Sequence, residues 1–240
     1  MSILPELNSL HLSNKTTIPS SGKEVLFRPF LVKEQKILLV AIESEDESMI
    51  FRTIADIIKT CFKDIDVNKL KVFDVDWLFV QNRISSIGAK SDVIISCKKC
   101  KQQNHVKVDL DHIKISPEPQ KKIDNINISD NVIIKPKYPD FSSVVNNQMF
   151  LSAKSSTEQQ FNLSVEIIDE IITKESVIKS SDIQKEKILE WIYTMTQEQY
   201  NKLLVFQDQI PVVSVETSFD CKGCGSKNNR VSRGAQDFLF

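Results

Sequence analysis

The chain has 240 residues, enough for one large domain or two small ones. Apolar residues make up 41% and charged residues 26%, an ordinary globular balance that excludes wholesale disorder. Lys and Arg number 31 against 32 Asp and Glu, so the net charge of −1 removes any whole-chain basic signal for nucleic acid.

Residues 1–26 mix Ser, Thr, Asn and Pro with scattered Leu and Ile. They read as an extended arm, packed on its own domain or ordered by a partner. Nothing near the start has the charged head and apolar stretch of a secretory signal, and no run of about 18 apolar residues predicts a membrane span. The expected setting is a reducing cytosol, where cysteines serve as metal ligands or core thiols rather than disulfides.

Lys33 to Glu43 predicts a first helix, interrupted by the acidic run Glu43 to Glu47. Ile50, Ile54, Ile57, Ile58 and Cys61 recur at helical spacing and predict a well-buried second helix. Cys61 reads as a core thiol. Phe73, Trp77, Val80, Ile84 and Ile87 form the stripe of a third helix, with Gly88 at its C-terminal cap. Residues 27–90 are therefore expected to form a helical unit.

The period then changes. Val93, Ile94 and Ile95 lead into Cys97, and Val106, Val108 and Leu110 alternate with polar residues after Cys100. That pattern predicts a hairpin with a cysteine pair at its tip. Residues 113–148 carry four prolines among Ile, Val and Asn, and predict short strands and loops. Phe161, Val165, Ile168 and Ile172 predict a helix beyond Thr157. Ser181 with Gln184, and Thr196 with Gln199, fit capping boxes for two more helices, the last ending at Pro211. Val213, Val215, Thr217 and Phe219 then alternate into Cys221, predicting a second hairpin.

Cys97-Lys98-Lys99-Cys100 and Cys221-Lys222-Gly223-Cys224 carry the one chemical motif. Two residues between cysteines let both sulfurs face one ion from a tight turn. Gly223 and Gly225 are expected to supply positive φ there. Two such turns supply the four sulfurs of a structural zinc site. Zinc ribbons usually close over about 15–20 residues, far less than the separation of these pairs, so residues 113–211 would be a β/loop segment and helical insertion. The other reading is two separate pairs of free or oxidisable thiols. With four cysteines present, His105 is expected to be a solvated strand residue rather than a ligand.

Lys98, Lys99, Lys101 and Lys107 beside the first pair, and Lys222, Lys227, Arg230 and Arg233 beside the second, make this part locally basic. They fit either weak phosphate contact or a solubilising face. Interleaved aromatics for base stacking are missing. Three His and five Gly leave little for a His-rich catalytic metal site or a phosphate loop, and no nucleotide-binding, metalloprotease or serine-hydrolase signature occurs.

The block Phe27-Arg28-Pro29-Phe30 through Leu39 resembles the opening of the T4-like phage baseplate protein family, which includes hub subunits and hub assembly proteins. Ile65 to Leu70, Phe73 to Val80, Arg83 and Ser86-Ile87-Gly88 fit the same block, and the first cysteine pair follows it. Trp77 and Gln81-Asn82 depart from the family pattern. The resemblance implies a non-enzymatic, tail-associated structural or assembly protein that binds other tail and baseplate hub proteins. It further implies a place in the host cytoplasm during assembly and in the virion tail baseplate.

The expected fold is α+β: an N-terminal helical unit (27–90), a zinc-ribbon-like β module (91–112 with 212–233), a helical insertion within 113–211 and a C-terminal tail (234–240). The expected site is one structural Zn²⁺ on Cys97, Cys100, Cys221 and Cys224. A nucleic-acid-binding zinc-ribbon protein, such as a viral transcription accessory factor, is the alternative.

Overall fold

A computed structural model describes residues 12–147, 149, 152–153 and 155–238. Asn14–Thr17 (β1) and Glu24–Phe27 (β2) form an antiparallel hairpin. Its turn closes at Gly22, where φ is 71° and the N–H donates to the Ile18 carbonyl at 2.8 Å. Strand alternation turns Val25 and Phe27 inward and Leu26 outward. Residues 1–11 of the expected arm lie outside the described residues. The rest of it packs on its own domain: Ile18 is buried, and the Ser20 N–H and hydroxyl both donate to Asp74, at 2.8 and 2.6 Å.

Val32–Glu43 (α1), Glu47–Cys61 (α2) and Val72–Ile87 (α3) follow. The Asp46 carboxylate starts α2 by accepting the Ser48 and Met49 N–H groups. Central to the molecule is α3, where Phe73, Val75, Leu78, Phe79 and Val80 are all 2% exposed or less. They face several directions, so the predicted stripe is only part of its buried surface. Ile87, at its end, is half exposed, and Gly88 caps the helix with φ 98°.

The Phe27–Leu39 block ties β2 to α1 through a buried ion pair, Arg28 to Glu34 at 3.0 Å. Burial pushes the Glu34 carboxyl up, but Arg28 and the Leu31 N–H outweigh it and hold it below its usual range. From α3, Asn82 Nδ2 donates to the Arg28 carbonyl at 2.8 Å.

Lys90–Ser96 (β3) and Gln103–Asp109 (β4) make the first cysteine hairpin, and Lys114–Ser116 (β5) follows after one turn. Ile126–Ser129 (β6), Val132–Pro136 (β7), Phe141–Val145 (α4), Ser156–Glu166 (α5), Ile168–Thr173 (β8) and Val177–Lys179 (β9) come next. β6 to β9 form one antiparallel sheet in chain order. Lys185–Tyr193 (α6) and Gln197–Gln207 (α7) lead back to Val212–Asp220 (β10) and Lys227–Arg233 (β11), the second cysteine hairpin.

Two local readings are corrected. The helix predicted across Phe161–Ile172 stops at Glu166, and Ile168–Thr173 is a strand. Ile167, Ile168, Ile171 and Ile172 fit a helical face, but β-branched residues also suit a strand with a partner. β7 supplies that partner, with Ile134 opposite Ile171. The predicted Ser181–Gln184 capping box does not form. Gln184 is itself the residue preceding α6, and the Ser181 hydroxyl donates to Asp182. The Thr196–Gln199 box forms as expected.

One core runs from Ile18 to Phe238. Within the expected tail, Ala235–Phe238 is a short turn docked on α3: Phe238 is fully buried and the Ala235 N–H donates to Asp76 at 2.9 Å. Residues 239–240 lie outside the described residues. Among the described residues, no helix is long and apolar enough to cross a membrane.

Candidate metal centre

The two cysteine pairs are brought together by β5. The chain leaves the β10 sheet after Ser116 and re-enters it at Val212, and these two residues are paired neighbours. The long gap therefore closes locally, and the hairpins β3–β4 and β10–β11 meet at their tips.

Each tip is built the same way. The Cys97 N–H donates to the Gln102 carbonyl at 2.8 Å, and the Lys101 N–H returns to the Cys97 carbonyl at 3.0 Å. In the second tip, Cys221 donates to the Ser226 carbonyl at 3.0 Å and Gly225 to the Cys221 carbonyl at 2.9 Å. The N–H groups of Lys99 and Gly223 each reach the first sulfur of their own pair at 3.4 Å. Equivalent fifth positions take the left-handed conformation, Lys101 at φ 62° and Gly225 at φ 67°. Gly225 thus has the expected positive φ, whereas Gly223 does not. At Gly223 the backbone runs close to the other turn: a Cβ there would lie 3.2 Å from the Gln102 side chain, which would have to shift by a few tenths of an ångström.

The four sulfurs all lie within 4.8 Å of one another. Cys97 Sγ is 3.8 Å from Cys224 Sγ, and Cys100 Sγ is 3.5 Å from Cys221 Sγ. Tetrahedral zinc with bonds of about 2.3 Å has sulfur–sulfur edges of about 3.8 Å, so this donor set fits such an ion. No disulfide joins these cysteines; Cys97 and Cys221 are buried and Cys100 and Cys224 exposed. The Ser226 hydroxyl lies 3.2 Å from Cys97 Sγ and 3.0 Å from Cys224 Sγ. It leads the groups that lower both thiols, Cys97 to about 5. At Cys100 the Gln102 N–H pulls the thiol down, but the neighbouring Cys224 and Cys221 sulfurs win and push it up to about 12. Four sulfurs this close cannot all ionise without a cation among them.

His105 is exposed on β4, opposite Ile94. Cys61 sits in the helical core, its thiol pushed up to about 11 chiefly by burial. The eight basic residues around the tips are all exposed. Sequence reasoning missed Asn104, Asn228 and Ser226. The two asparagines had a readable signal: each stands seven positions after the first cysteine of its pair, in a repeated C-x-x-C-x-x-x-N pattern.

The chain has no match among curated proteins and none among solved structures. A family model described as T4 bacteriophage base plate protein matches residues 12–240, so the chain belongs to the T4 bacteriophage base plate protein family.

Proposed function

We propose that this chain is a non-enzymatic structural subunit or assembly factor of the baseplate hub of a contractile-tailed phage, held together in part by one zinc ion. Family membership over nearly the whole chain carries the reading, because it implies a structural part in a phage baseplate. The hub assignment is narrower and follows from the sequence resemblance centred on residues 27–110. Partners would be other tail and baseplate hub proteins, met in the host cytoplasm during assembly and, for a structural subunit, in the virion tail baseplate.

Zinc would be held by Cys97, Cys100, Cys221 and Cys224. The four-sulfur geometry supports this ligand set. With all four positions filled by protein, the ion offers no open site for substrate. It would supply folding free energy by tying two distant segments into one zinc-ribbon-like module interrupted by residues 117–211. The eight exposed basic residues favour a second reading, nucleic-acid binding. Against it, Phe219 is the one Phe, Trp or Tyr on the two hairpins, too little for a stacking surface.

Co-purification of the tagged chain from infected cells separates the two. Recovery of tail and hub proteins is expected. Recovery of nucleic acid or polymerase, with no tail protein, would overturn the hub reading.

A further inference from the structure

The repeated asparagines do more than close their own turns. Asn104 is 2% exposed and sits on β4, in the first hairpin, yet it reaches the second. Its Oδ1 accepts the Lys222 N–H at 2.9 Å, and its Nδ2 faces Cys221 Sγ at 3.7 Å. Asn228 is 5% exposed and makes the mirror-image reach from β11. It accepts the Lys98 N–H at 3.0 Å and directs Nδ2 to Cys97 Sγ at 3.5 Å. Each amide also donates to a carbonyl of its own turn, Asn104 to Gln102 at 2.8 Å and Asn228 to Ser226 at 2.9 Å.

The amide orientation follows from the chemistry. A backbone N–H can only donate, so Lys222 and Lys98 each require the oxygen, and the NH₂ group is left facing sulfur. The sulfurs reached are the buried ones of each pair, those most in need of a donor once ionised. The arrangement has the symmetry of the repeat: each asparagine leaves one hairpin and serves the first cysteine of the other.

We infer that Asn104 and Asn228 form a reciprocal clasp that sets the two cysteine turns in register and donates to the buried sulfur of the opposite turn, making them positioning residues of the metal centre. This rests on the four-cysteine reading above. Neither asparagine is a ligand. The clasp orients the ligands and stabilises their charge, as outer-shell hydrogen bonds do around other metal ions. It also links segments more than a hundred residues apart, Asn104 to Lys222 and Asn228 to Lys98.

Aspartate is the informative replacement. Asn104→Asp and Asn228→Asp keep the acceptor for the opposite backbone N–H but remove the donor and place a negative charge beside sulfur. The test is titration of the full chain with Co²⁺, followed by competition with Zn²⁺, reading the sulfur-to-cobalt charge-transfer band. The wild-type chain should bind one ion, and each aspartate variant should bind it about 10–100-fold more weakly, with a shifted band. Gln103→Ala and Asn229→Ala, exposed neighbours on the same strands, should match wild type. Unchanged affinity and band in both aspartate variants would overturn the clasp and leave the four-cysteine site standing. Failure of the wild-type chain to bind either metal would instead remove the four-cysteine reading, and this inference with it. Should an aspartate variant fail to fold, Asn104→Ala and Asn228→Ala are read in the same titration. They drop all of each asparagine's side-chain bonds without adding charge, and wild-type affinity in those would equally overturn the clasp.

Discussion

The helical core and the paired cysteine tips are held by different physics. Around α3, large apolar side chains do the holding: Ile54, Ile58, Phe73, Leu78 and Phe79 are 2% exposed or less. Polar groups buried there are tied down locally, as in the Arg28–Glu34 pair and the three donors on Asp74. The tips have almost no bulk to bury. From Cys97 to Gln103 and from Cys221 to Lys227 the residues are Cys, Lys, Gln, Gly and Ser, and their order comes from backbone turns, two asparagines and four sulfurs. Burial is non-directional and tolerant, whereas a cluster of sulfurs is directional and fails as a unit. The two regions should therefore break independently and in response to different insults.

The largest effect is expected from the metal. Chelation, or Cys221→Ser, should free the tips, since structural zinc contributes on the order of 10 kcal/mol to small metal-dependent folds. Hydrogen exchange should rise across residues 96–103 and 220–227 while α2 and α3 amides stay protected. Loss of protection in α3 at the same rate would mean that the two regions are one cooperative unit.

Phe79→Ala is the reciprocal break. Removing a fully buried aromatic ring should cost about 3–5 kcal/mol, measured as a shift in the denaturation midpoint. The shift should be the same size with zinc present or chelated.

Asp74→Ala comes next, at about 2–3 kcal/mol. It leaves the Ser20 N–H, the Ser20 hydroxyl and the Lys71 N–H without their acceptor. Exchange should accelerate over residues 14–27, and Trp77 fluorescence should change as its Nε1 loses Thr16 Oγ1, 3.1 Å away. Normal protection of that hairpin would show that burial of Ile18 and Val25 alone secures it. Truncation through residue 22 is accordingly expected to destabilise the isolated chain.

The smallest effect is a pH dependence within the core. The Cys61 thiol, ordinarily at 9.0, is pushed up to about 11 by burial. The unfolded thiol therefore ionises first, and folding stability attributable to this group is complete below pH 9 and lost as pH rises toward 11. The loss should be about 1–2 kcal/mol across that window. Denaturation of wild type and Cys61→Ala at matched pH isolates it, and a parallel decline in both proteins would refute the assignment.

The same contrast explains what was legible in the sequence. The cysteine tips could be read because C-x-x-C after an alternating strand has few structural uses. Gly88 and the Thr196–Gln199 box marked helix ends through chemistry that acts within a turn. The tertiary choices were hidden. Whether Ile168–Thr173 became helix or strand depended on β7, more than thirty residues earlier. Asp74 lies in the first turn of α3, and only the fold shows that it also holds Ser20. Asn104 and Asn228 were within reach, but their repeat was too short to notice beside the cysteines. The β5 pairing that closes the long gap rests on three residues with no distinctive pattern.

The central claim is that four sulfurs from two distant hairpins hold one zinc ion. X-ray absorption at the zinc edge, on the full chain purified without chelator, tests it most directly. The account predicts one zinc per chain with four sulfur neighbours at about 2.3 Å and no nitrogen or oxygen in the first coordination sphere. Chelator-free protein that carries no zinc, or zinc bound by fewer than four sulfurs, would contradict it.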